Sequence, residues 1–156
     1  MKRTLSLFAA FGLAATLAAS ATARAANSAT LVIHHQTRGC HAWALNGSNT
    51  YKVSQTITLA KGGTLTVTDN DVMSHQLIKT SGPAVTIKLV NAGAAATGKL
   101  KPPYALGLLP HMGATIKVTF SKPGTYKFTT KEGNDYYPGI KTIGADNILH
   151  ATVTVR

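Results

Sequence analysis

Acidic side chains are scarce in this chain: Asp69, Asp71, Glu132, Asp135 and Asp146 are the only five in 156 residues. None of them stands in a recognisable catalytic pairing, and hydrolysis assisted by a metal needs acid and base groups around an open coordination position. The expectation is therefore that the protein is not an enzyme. Cysteine is scarcer still, with Cys40 alone. A lone cysteine cannot close an internal disulfide, which leaves an intermolecular partner, a buried thiol or a metal ligand. Tryptophan occurs once, at Trp43. Past residue 26 there is no apolar run long enough to span a bilayer, a feat that takes about 20 residues. No internal repeat and no long helical period interrupts the same region.

The first residues do not belong to the domain. Lys2 and Arg3 precede an apolar, Ala- and Leu-rich run from about Leu5 to Ala19, and Ala23-Arg24-Ala25 follows. A basic start, a short apolar stretch and small residues before a cleavage point make a secretory signal peptide. Ala25 is its expected last residue, so residues 1–25 are read as the signal peptide and 26–156 as one domain. A periplasmic or secreted location follows, with no integral membrane segment once the signal is gone.

What is plentiful is positive charge. Lys2, Arg3 and Arg24 leave with the signal and lower the formal charge from +11 to +8. That balance favours anionic partners. The lysines are spread from Lys52 to Lys141, without the blocks or interleaved aromatics of a nucleic-acid binder. Nucleic acid is thus not expected as a partner.

Alternation with period two dominates the domain and marks half-buried strands. Leu65 and Val67 alternate with Thr64, Thr66 and Thr68; Ile116, Val118 and Phe120 with Thr115, Lys117 and Thr119. Tyr126 and Phe128 alternate with Thr125, Lys127 and Thr129, and Ala151, Val153 and Val155 with Thr152 and Thr154. Ala29–His34 and Gln55–Leu59 read as two more strands. Ala60-Lys61-Gly62-Gly63 and Ser121-Lys122-Pro123-Gly124 supply tight-turn chemistry. Residues 84–109, with three glycines and two prolines, read as an irregular connection holding one or two short elements. An all-β antiparallel sandwich or barrel is predicted.

Two stretches resemble the cupredoxins. Lys61-Gly62-Gly63-Thr64-Leu65-Thr66-Val67-Thr68-Asp69-Asn70-Asp71, ending in Ser74-His75, has their Gly turn, alternating strand, Asn/Asp-rich loop and first histidine ligand. Gly113–Phe120 with Lys122–Phe128 is similar to their penultimate hairpin. The resemblance covers most of residues 55–130 and 147–156, and implies a Greek-key β-sandwich that binds copper. One departure stands out. Thr130 occupies the position of the copper-binding cysteine, and neither His nor Met occurs between Lys131 and Leu149. The usual His₂Cys site is excluded by composition, and His75 alone carries over as a ligand.

A noncanonical site remains open. The segment holding His34, His35, Cys40 and His41 leads into the strand at Gln55–Leu59. Joined to Thr64–Asp69 by a tight turn, that strand starts at the end of the sheet where His75 lies. The resemblance sends His111 and Met112 to the same end, and Met73 flanks His75. Thiolate, imidazole and thioether together suit copper, and also zinc. The candidate ligands are His75, Cys40, His111, Met112 and His41. Each has a plainer role open to it: His75 as a hydrogen-bonded core histidine, Cys40 as a buried thiol, Met112 as packing. His34 and His35 fall on opposite strand faces, so one of them at most contributes, and His150 points outward. Trp43 is either apolar cover for a metal or ordinary packing.

Two functions follow. The first is an exported copper-binding protein for electron transfer or copper handling, with an acidic redox or copper-trafficking protein as partner. The second is a metal-free cupredoxin-like binding or structural module with a basic surface.

Overall fold

The computed structural model describes residues 25–35, 41–94, 100–132 and 148–156. Within them the chain is all-β: β1 (Ala26–His35), β2 (His41–Leu45), β3 (Tyr51–Lys52), β4 (Ser54–Asn70), β5 (His75–Ser81), β6 (Thr86–Asn91), β7 (Leu108–Leu109), β8 (Thr115–Thr119), β9 (Gly124–Glu132) and β10 (His150–Val155). Among the described residues no helix is long and apolar enough to cross a membrane.

The long strand β4 organises the molecule. Its first arm, Ser54–Leu59, pairs with β10. Its second arm, Thr64–Asn70, has β1 on one edge and β8 on the other. With both edges taken, the second arm has none left for the first, so the two arms lie in different layers. One layer runs β4 (first arm)–β10–β9–β5–β7; the other runs β3–β2–β1–β4 (second arm)–β8–β6. The changeover sits at Lys61-Gly62-Gly63. Lys61 N–H still bonds Arg156 O in the first layer, whereas Gly62 N–H bonds Phe120 O in the second. Phe120 N–H returns to Gly63 O, so two residues face one and form a β-bulge, with Gly62 at φ 80°. The tight turn read from the sequence is present, but it is a corner between layers and not a hairpin within one.

The predicted antiparallel sandwich needs a second correction. β1 runs parallel to the second arm of β4, and β10 runs parallel to its first arm. The sheet is therefore mixed. Alternation reports which face of a strand is wet, but it is blind to the direction of the neighbour.

The faces themselves follow the sequence pattern. Leu65, Val67, Leu77, Ile116, Val118, Phe120, Tyr126, Phe128, Val153 and Val155 are buried, while Lys117 and Lys127 are exposed. Leu31, Ile33, Leu59 and Trp43 join the same core between the layers. Phe120 packs edge-on against Tyr126 with ring centroids 4.9 Å apart, tying β8 to β9. The connection over residues 84–109 holds two short strands, β6 and β7, as expected.

Candidate metal centre

Register carries several chain segments to one end of the sandwich. β1 leaves with His34 beside Asn70, and β2 enters with His41 beside His35. β4 leaves at Asn70. β5 enters with His75 between Leu109 of β7 and Glu132 of β9. The segment His111–Ala114 is bound to β4 there, with Gly113 N–H donating to Asp69 O at 2.6 Å and Asp69 N–H donating to Ala114 O at 2.9 Å.

At the centre of this end lies a buried pair. His75 and Asp69 are both fully buried, with His75 Nδ1 at 3.2 Å from Asp69 Oδ2. The alternation Leu65, Val67, Asp69 continues on the inner face of β4, and this is why a carboxylate arrives in the core. Burial pushes the Asp69 carboxyl up from 3.8 to about 6; the His75 bond and ring charge and the Asp71 backbone pull the other way, while the Asp71 charge adds to the rise. Above that pH the ionised carboxylate can only accept, so the proton of a neutral His75 sits on Nδ1 and the lone pair on Nε2.

Asp71 extends the pair. Its N–H donates to Asp69 Oδ1 at 3.1 Å, and its Oδ1 accepts from Val72 N–H at 2.6 Å. These bonds fix the tight loop between Asp69 and His75. His35 Nδ1 lies 3.9 Å from Asp71 Oδ1, with the carboxylate buried and the ring 57% exposed. His34 points to the other face of β1, edge-on to Tyr51 at 4.9 Å. The two neighbouring histidines thus face opposite ways, as alternation predicts.

The remaining predicted ligands fall as follows. His111 is buried and meets the Tyr104 ring edge-on at 6.2 Å. Met112 is 44% exposed, whereas Met73 is buried. The backbone of His41 pairs with His35 at this end, and its chain neighbour Cys40 lies outside the described residues, as does Tyr136-Tyr137-Pro138-Gly139. Among the described residues no group of three His, Cys, Asp or Glu side chains has the arrangement of a metal site. Thr130, at the cysteine position of the resemblance, is buried; its Oγ1 accepts Leu149 N–H at 2.8 Å, and its own N–H donates to Leu149 O. It closes the ends of β9 and β10 together. His150 is exposed, as its alternation implies. Trp43 is fully buried in the core cluster, and its carbonyl accepts from the Gln55 amide.

Asp69 is the residue that ligand-type reasoning passes over. The signal for it was present: it shares the inward parity of Leu65 and Val67 and lies six residues before His75.

No family model and no curated protein matches this sequence. Solved structures of similar shape exist at low identity. An inclusion body protein from Burkholderia cenocepacia is 10% identical with a TM-score of 0.42, over 86% of this chain and 97% of that one. A cysteine protease inhibitor from Entamoeba histolytica is 15% identical with a TM-score of 0.36, over 65% and 85%. A multicopper oxidase from Aquifex aeolicus is 12% identical with a TM-score of 0.36; this chain covers 29% of it. All of these are β-sandwich proteins at least in part.

Proposed function

We propose that this is an exported cupredoxin-like protein, with a Greek-key sandwich, that binds copper at one end of the domain for electron transfer or copper handling. The observation that carries this reading is the buried His75–Asp69 pair. A carboxylate holding Nδ1–H is the usual support for a histidine that ligates through Nε2, because it fixes the tautomer and raises the basicity of the ring. Cys40 would supply the thiolate, and His111 the second imidazole, with Met112 or His41 completing the shell. Met73 and the fully buried Trp43 contribute apolar bulk to the domain end. Copper bound by thiolate and imidazole supplies one-electron chemistry or a transport site; the protein's residues orient the ligands and exclude water.

The test is a copper affinity series on the mature protein. His75→Ala should weaken Cu(I) binding by at least 100-fold in a chelator competition. Asp69→Asn, which leaves the ligand in place but removes the charge behind it, should weaken binding by about 10- to 100-fold. Equal affinity in all three proteins would overturn the site. The second reading is a metal-free module with a basic surface, in which His75 is a core histidine held by Asp69. The same titration decides between them, since that module takes up no copper at micromolar metal.

A further inference from the structure

The sandwich has an open side, and its chemistry is lopsided. Here β5, past its short pairing with β7, faces the edge of the other layer, β6, across a groove of about 510 Å³ lined by Leu77, Ile78, Lys79, Val85, Ile87 and Leu106, among others. Leu106 is 70% exposed on its rim. β6 pairs with β8 and, among the described residues, with nothing else. The bond from Asp69 N–H to Ala114 O sets the parity of the ladder: Ile116 and Val118 bond to β4, so Thr115, Lys117 and Thr119 bond to β6. Their partners Thr86 and Lys88 spend their backbone groups inward. Ile87 and Leu89 are left with N–H and C=O on the free edge.

On the outer face of this edge, Lys88 stands directly opposite Lys117. Like charges in that position repel. Among the described residues no acid faces them: Asp69 and Asp71 are buried at the His75 end and Glu132 ends β9 there, while Asp135 and Asp146 lie outside the described residues.

We infer that the β6 edge accepts an extended strand from an acidic partner protein, whose residues alternate acidic and apolar. Main-chain bonds to Ile87 and Leu89 would supply the pairing, as in other strand additions. Alternate side chains would then divide cleanly. Those beside Ile87 and Leu89 enter the apolar groove, and those beside Lys88 meet the lysine pair. A register shift between Leu89 and Asn91 limits the usable edge to about four residues of β6, so the added strand is short. A second copy of this chain fits poorly, because pairing β6 with its own twofold mate would gather four lysines on one face. The inference does not depend on copper and can be tested on the metal-free protein.

The probe is a fluorescein-labelled ten-residue peptide alternating Glu and Val, with a Lys–Val peptide as control. Fluorescence anisotropy should show saturable binding of the Glu peptide, weakened by salt, and at least ten-fold weaker binding of the Lys peptide. Amide exchange followed by NMR should slow at Ile87 and Leu89 on binding. Lys88→Glu combined with Lys117→Glu, both exposed positions, should reverse the peptide preference with an unchanged circular dichroism spectrum; Leu106→Glu should weaken binding from the groove side. Equal binding of both peptides, or protection elsewhere than β6, would overturn the proposal. So would a dimer seen by light scattering that the double variant abolishes.

Discussion

Asp69 ionises where there is almost no water, and its carboxyl is pushed up to about 6 by that burial. The unfolded chain releases the same proton near 3.8. Between those two values the folded protein therefore holds more protons than the unfolded one, and stability falls as pH rises through the window. The cost of keeping the carboxylate charged at neutral pH is on the order of 3 kcal/mol. A buried charge retained at that cost fits a residue kept to orient His75. Urea unfolding from pH 4 to pH 7 should show Asp69→Asn gaining on the parent protein as pH rises, with most of the gain between about pH 4 and 6. A difference that is flat with pH, or that shrinks, would mean that Asp69 is not the strained group. Thr130 shows the opposite economy at the same scale. Where the resemblance expects a cysteine, a hydroxyl is spent on Leu149 N–H, so the position has become a clasp.

The corner in β4 is the element on which the site depends. In the first layer Ser54 stands opposite His150, which pairs with Thr129, three residues from the level of His75. The first arm runs away from that level to Leu59, yet Asp69 at the end of the second arm is back within 3.2 Å of His75. Only a reversal across residues 60–63 permits this. A Cβ on Gly63 would lie 2.7 Å from Ala60 O and 3.1 Å from Leu59 Cβ, backbone and core that cannot step aside. Gly63→Ala should cost about 1–3 kcal/mol in chemical denaturation, from this overpacking. At Gly62 the space is open and the positive φ alone is at stake, so Gly62→Ala should cost only about 1 kcal/mol. Equal effects at the two positions would show that the corner is looser than drawn. The turn was legible in Ala60-Lys61-Gly62-Gly63 and so was the inward face of each arm. That the arms part into different layers was not, because the edges of the second arm are filled by β1 and β8, strands distant in sequence. The parallel pairings were hidden for the same reason.

At the scale of the molecule, one end of the sandwich collects most of the chemistry the sequence holds. His35, His41, Asp69, Asp71, His75 and His111 arrive there from β1, β2, β4, β5 and the segment before β8. The tight turn at residues 60–63 and the cupredoxin resemblance send His75 and His111 to this end. The strand at Gln55 is the route by which the sequence sends Cys40 there; Cys40 lies outside the described residues, and its chain neighbour His41 pairs with His35 at this end. The export signal is a separate matter, read from Lys2 to Ala25 alone. Intact mass of protein expressed in a native-like host should show a chain beginning near Ala26; a dominant species retaining Met1–Ala25 would defeat that reading. The central claim is copper at the His75 end, and one measurement tests it most directly: titration of the mature, reduced protein with Cu(II), followed by absorption and by dialysis against metal analysis. The account predicts about one copper per chain and a thiolate charge-transfer band that Cys40→Ser abolishes. No copper retained at micromolar metal, or a band that survives Cys40→Ser, would contradict it.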